Sequence, residues 1–231
     1  MSIDTRRTFH QDLAQIHGDL VRLAAMVCDA IPRATDSLLA ADLDSARTLV
    51  EEDANLDRIA HDVEDRCYHQ LALQQPMASD LRALVTAIRL TAELERSGDL
   101  VVNIAKSTLR MVGQTIDPRT RGLLQAMSDE ATRLFGDALT AYAENDEETG
   151  AALRSMDDTL DEVHRAFISQ VLESCRAGDL AIETAVQLAL VGRYYERIGD
   201  HAVNIGEKVC YLVTGLMPES PAGDQPPGVS P

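Results

Sequence analysis

The chain has 231 residues, 45% of them hydrophobic, enough to fill the core of one large domain or two small ones. Aromatic residues make up only 3%, Trp is absent, and Ala, Leu, Asp, Glu and Arg dominate, a composition that suits packed helices and disfavours a β-sandwich. With 21 Lys and Arg against 38 Asp and Glu, the net charge of −17 repels phosphate backbones and anionic lipids, so direct nucleic-acid binding is not expected.

From Thr8 to Ala41 apolar residues recur at helical spacing (Leu13, Ile16, Leu20, Leu23, Val27), which predicts one long helix kinked near Pro32 or two collinear ones. Asp42 is placed to cap a second helix running to Leu73, and Ser79 to cap a third that Gly113 ends. Asp117 caps and Pro118 opens a fourth, to about Glu144. The stretch Asn145 to Glu148 starts a fifth that reaches about Arg176. Gly178 then stops it and Asp179 caps a sixth, Leu180 to about Leu216. Residues 217–231 are Pro-rich and read as disordered.

No stretch approaches the roughly 18 to 20 apolar residues of a membrane span, and the N-terminus lacks the apolar core of a signal peptide. A cytoplasmic protein is expected, meeting membranes only through a partner. The widely separated Cys28, Cys67, Cys175 and Cys210 form no C-x-x-C pair and read as buried, reduced thiols.

The plan is three helices, twice. Glu95, Arg96, Gly98, Asp99, Val102, Asn103 and Ile104 recur as Glu196, Arg197, Gly199, Asp200, Val203, Asn204 and Ile205, each 101 residues later. On the preceding helix Asp53, Leu56 and Asp57 recur as Asp157, Leu160 and Asp161, each 104 residues later. Internal duplication accounts for both offsets. It predicts an all-α fold of two tandem three-helix bundles, residues 1–114 and 115–216, ahead of the tail 217–231.

Each half carries two acidic pairs with i, i+4 spacing: Asp53 and Asp57 with Glu95 and Asp99, then Asp157 and Asp161 with Glu196 and Asp200. Such pairs stack on one helix face. A 4-3 spacing through Leu84, Ile88, Thr91, Glu95, Gly98 and Val102 places Glu95 at a packed seam, and Ala189, Gly192, Glu196 and Gly199 repeat the arrangement. Carboxylates at a seam require a counter-charge. Arg89, Arg96, Arg193 and Arg197 offer one, in a purely structural network. A hard cation on an all-oxygen site is the other reading. Asn103 and Asn204 extend the face, toward a carboxylate, a metal or a neighbouring helix; His61 and His164 stand near the acids but do not align with each other. No Glu-x-x-His pair, Walker loop, H-E-x-x-H or G-x-S-x-G is present, so a non-enzymatic protein is expected. A carboxylate-bridged metalloenzyme and a purely structural helical repeat are the alternatives.

The stretch QQPMASDLR followed by AELERSGD, and then YYERIGDHAVNI in the second half, resembles the PhoU family of phosphate-transport regulators, in the same order and with the same duplication, from Thr8 to Leu216. The resemblance implies tandem three-helix bundles that dimerise. It further implies action with a phosphate ABC transporter, through its ATPase, and with a phosphate-responsive sensor histidine kinase, restraining uptake and starvation gene expression when phosphate is plentiful. It also implies iron, zinc, magnesium or manganese on Asp53, Asp57, Glu95 and Asp99 and on Asp157, Asp161, Glu196 and Asp200. The halves differ where Ser97 stands in one motif and Ile198 in the other.

Overall fold

The computed structural model describes residues 2–216. Six helices account for nearly all of them: α1 (Ser2–Ala40), α2 (Leu43–Gln74), α3 (Ser79–Arg110), α4 (Pro118–Glu144), α5 (Glu147–Ala177) and α6 (Ile182–Thr214). The expected disorder of 217–231 lies outside the described residues.

Two starts follow the acidic-cap reading, at Asp42 and Asp117, and a third acidic cap, Asp146, lies within the stretch expected to start α5. Asp42, Asp117 and Asp146 each accept hydrogen bonds from the two backbone N–H groups that open α2, α4 and α5. Two expected caps are corrected. Ser79 is the first residue of α3, whose N-cap is Ala78 with no side-chain bond. Asp179 belongs to the end of α5: its N–H donates to the Ser174 carbonyl beside left-handed Gly178, and the N-cap of α6 is Ala181. Pro32 does not divide α1, which runs through it as one helix at the cost of one backbone hydrogen bond. Of the cysteines, all free, only Cys67 is buried; Cys28, Cys175 and Cys210 are half-buried.

Each half is a three-helix unit, α1–α3 and α4–α6. The halves join through α1 against α4 and α3 against α6, while α2 touches only α1 and α3, and α5 only α4 and α6. Both joining pairs are antiparallel. His17 and Cys28 reach the carbonyls of Tyr142 and Thr132 across α1 and α4, and Glu93 meets His201 and Lys208 across α3 and α6. One continuous apolar core fills both halves and the junction between them. Where α1, α4 and α6 meet, fully buried Tyr195 bonds through its hydroxyl to Thr35, which donates to Ser128 at 2.6 Å.

The halves pack to different tightness. In the second, Gly150 and Gly206 bring the backbones of α5 and α6 together: a Cβ on Gly206 would collide with the Gly150 carbonyl oxygen and stand 2.6 Å from Leu153. The first-half counterparts, at the same offsets, are Ala46 and Ala105, both fully buried. A like-for-like contact shows the result. A Cβ on Gly199 would stand 2.7 Å from Leu160, whereas one on Gly98 would stand 3.0 Å from Leu56.

Candidate metal sites

The two acidic faces lie on the outward sides of the bundle, one along α2 and α3 and one along α5 and α6. In the first, Asp53 is half-buried and Asp57, Glu95 and Asp99 are exposed. The seam placement of Glu95 is thereby corrected. α3 is packed by α1, α2 and α6, so most of its circumference is buried, and Glu95 sits at the edge of the exposed arc that remains. In the second face Asp157, Asp161 and Glu196 are half-buried and Asp200 is exposed.

In each set the most buried aspartate feels the charge of its neighbours. Burial raises the Asp53 carboxyl above its usual range, and the charges of Asp57, Asp99 and Glu95 raise it further against the pull of Lys106. Burial and then Asp161, Asp200, Glu196 and Asp158 push Asp157 up to about 6. Glu196 is raised by burial and Asp200, with Arg193 opposing. The tighter packing of the second half explains the stronger effect there, because Asp157 Oδ1 is pressed against Gly199.

The choice between arginine and metal is answered in part by geometry. Arg193 does form an ion pair with Glu196 Oε1. The other Glu196 oxygen and Asp157 Oδ1 are both buried and receive no hydrogen bond. Among the described residues no ion pair reaches Asp53. Two orphaned carboxylate oxygens beside two further acids fit a hard cation by donor chemistry. As the side chains stand, no three His, Cys, Asp or Glu groups among the described residues converge on one point, so ligation requires rotamer changes in this set. The histidines stay outside it: His61 pairs with Asp65 at 3.4 Å, and His164, its basicity lowered by burial, packs toward Gly192. Asn204 donates to Glu93 on α3, the neighbouring-helix option.

If uncompensated charge is what strains Asp157, Asp157→Asn in chelator-treated protein should stabilise the fold by about 1 kcal/mol. That is a rise in melting temperature of roughly 2 to 4 °C. A lower melting temperature would show that the Asp157 carboxylate already has a compensating partner.

Sequence reasoning missed the most buried charges. Glu93 (7% exposed) accepts from His201 Nδ1 at 2.6 Å and from Asn204 at 3.2 Å, and its other oxygen pairs with Lys208 at 3.0 Å. Burial alone would raise this carboxyl, but hydrogen bonds and charge from His201 and Lys208 hold it near 2. The available signal was a failure of the repeat: Glu93, His201 and Lys208 correspond to Tyr194, Leu100 and Ser107.

Against known families, the PhoU domain model matches twice, over residues 20–108 and 124–209. The chain belongs to the PhoU family. It is 33% identical over 214 residues, 92% of this chain and 96% of the relative, to the phosphate-specific transport system accessory protein PhoU homolog 1 of Mycobacterium tuberculosis. It is 30% identical to the protein of the same name from Thermotoga maritima, over 90% of this chain and 89% of that one. The crystal structure of PhoU from Pseudomonas aeruginosa superposes with a TM-score of 0.84 at 27% identity, covering 90% of this chain and all of that one. The two matches fall on the two halves, so the six-helix plan is that of a duplicated PhoU domain.

Proposed function

We propose that the chain is a non-enzymatic regulator of phosphate uptake, working in the cytoplasm as an accessory to a phosphate-specific transport system. What carries this reading is near full-length kinship with accessory proteins of that system. A surface charge of −17 suits protein partners better than nucleic acid, and no helix among the described residues is long and apolar enough to cross a membrane. The partners are the transporter ATPase and a phosphate-responsive sensor histidine kinase, and the working form is a homodimer. Residues 1–114 and 115–216 act as its two units.

The acidic faces hold divalent metal: Asp53, Asp57, Glu95 and Asp99 on one, Asp157, Asp161, Glu196 and Asp200 on the other. Bound there, a cation supplies the missing positive charge and ties α2 to α3 and α5 to α6. The chain's own part is to hold the carboxylates at the edges of two helix pairs whose spacing Gly98 and Gly199 set.

In cells lacking the protein, phosphate uptake under phosphate-replete growth should rise several-fold, and reintroduction should restore it; unchanged uptake would refute the reading. Elemental analysis of natively purified protein tests the metal separately. Alanine at Glu95, Asp99, Glu196 and Asp200 should abolish bound iron, zinc, magnesium or manganese while leaving the helical signal intact, and undiminished metal content in that variant would remove these residues from the site.

A further inference from the structure

The first half contains a cleft of about 270 Å³ between α1, α2 and α3. Its floor is apolar, built from Val27 and Ala30, Leu49 and Leu56, and Val101 and Val102. The volume falls just below the usual range for drug-sized ligands, about 300 to 1,000 Å³, and suits a smaller molecule. Its rim is acidic: Asp29, Glu52 and Asp53 face a single cation, Arg33, leaving two net negative charges.

Arg33 is already engaged. It bridges the mouth from α1 to α2, with Nη2 at 2.9 Å from Glu52 and Nη1 at 3.4 Å from Asp29. Asp53, half-buried at the cleft wall, is the lining carboxylate that none of these ion pairs reaches. An apolar cavity with one unpaired carboxylate at its edge selects for shape and charge together.

We propose that this cleft binds a small amphipathic cation, with an aliphatic body on the apolar floor and an ammonium group on Asp53. An anion of the same shape meets net repulsion from the rim, and a bare metal ion gains nothing from the floor. Asp53 is shared with the metal site proposed above, so the cleft is tested with chelator present, where an absent metal cannot mask or mimic the result.

The probe is n-hexylammonium, titrated into full-length, methyl-labelled protein and compared with hexanoate and with ammonium chloride. Saturable shifts are expected at the methyls of Val27, Ala30, Leu49, Leu56, Val101 and Val102 with hexylammonium alone. Asp53→Asn should weaken its binding about tenfold, the value of one charge-assisted hydrogen bond. Ala30→Leu, on the half-exposed wall, should fill the cleft and weaken binding at least as much, with methyl spectra confirming the fold. Equal binding of hexanoate, shifts reproduced by ammonium chloride, indifference to Asp53→Asn, or shifts centred on the second half would each overturn the proposal.

Discussion

Gly206→Val should melt roughly 6 to 12 °C below the parent chain, reflecting a loss of about 3 kcal/mol. Valine is a better helix former than glycine by a few tenths of a kcal/mol, so intrinsic propensity favours the change. Packing opposes it and wins. The new Cβ collides with the Gly150 carbonyl oxygen, which is backbone and cannot rotate away, and meets Leu153 at 2.6 Å. Relief requires α5 to move off α6, which also lifts Asp157 from Gly199. Two controls separate sterics from propensity. Gly98→Ala meets only the flexible end of Leu56 at 3.0 Å and should be nearly neutral. Gly18→Ala on the surface of α1, with nothing within 4 Å, should stabilise by about 1 kcal/mol. Thermal melts rank the three; a neutral Gly206→Val would mean that the α5–α6 contact is slack.

Glu93→Ala should cost about 3 kcal/mol, since removing one partner strands buried His201 and half-buried Lys208 without their carboxylate. The double change Glu93→Leu with Lys208→Met should recover part of the loss, because removing opposite charges together deletes the desolvation cost along with the attraction. Additive losses in the double variant would deny the coupling. The same cluster governs acid stability. Glu93 is held at about 2, below the usual carboxylate value. Its contribution is therefore complete above about pH 4.5 and is lost as pH falls toward 2. The groups facing it are His201 and Lys208, both from α6. Asp157, raised to about 6, acts in the opposite sense: its ionisation weakens the fold as pH climbs from about 4 through 6. Chelator-treated protein should accordingly be most stable near pH 5, and denaturation midpoints from pH 2 to 8 will show whether the maximum lies there. Glu93→Gln should flatten the acid limb alone.

The helices were readable because their signals are local. Asp42, Asp117 and Asp146 precede runs of 3.6-residue periodicity, and a cap needs only its own next turn. The duplication was readable because the acidic motifs keep constant offsets. The burial of individual charges was not. A heptad count assumes one packed seam, whereas α3 is enclosed by three helices, so Glu93, which the count puts outward, is buried while Glu95, which it puts at the seam, is exposed. The cleft beside Asp53 was equally hidden, since it follows from the distances among α1, α2 and α3, and spacing along the chain carries no such distance.

The junction of α3 and α6 has a consequence for how the two repeats are related. Two identical repeats about a strict twofold axis would display every junction residue twice. Here one copy supplies the acid, Glu93, and the other its base partners, His201 and Lys208, while the mirrored positions hold Tyr194, Leu100 and Ser107. Covalent fusion released the copies from that constraint. Each repeat has become a key cut for the other, so a chain assembled from two first halves would carry two acids and no base at its centre.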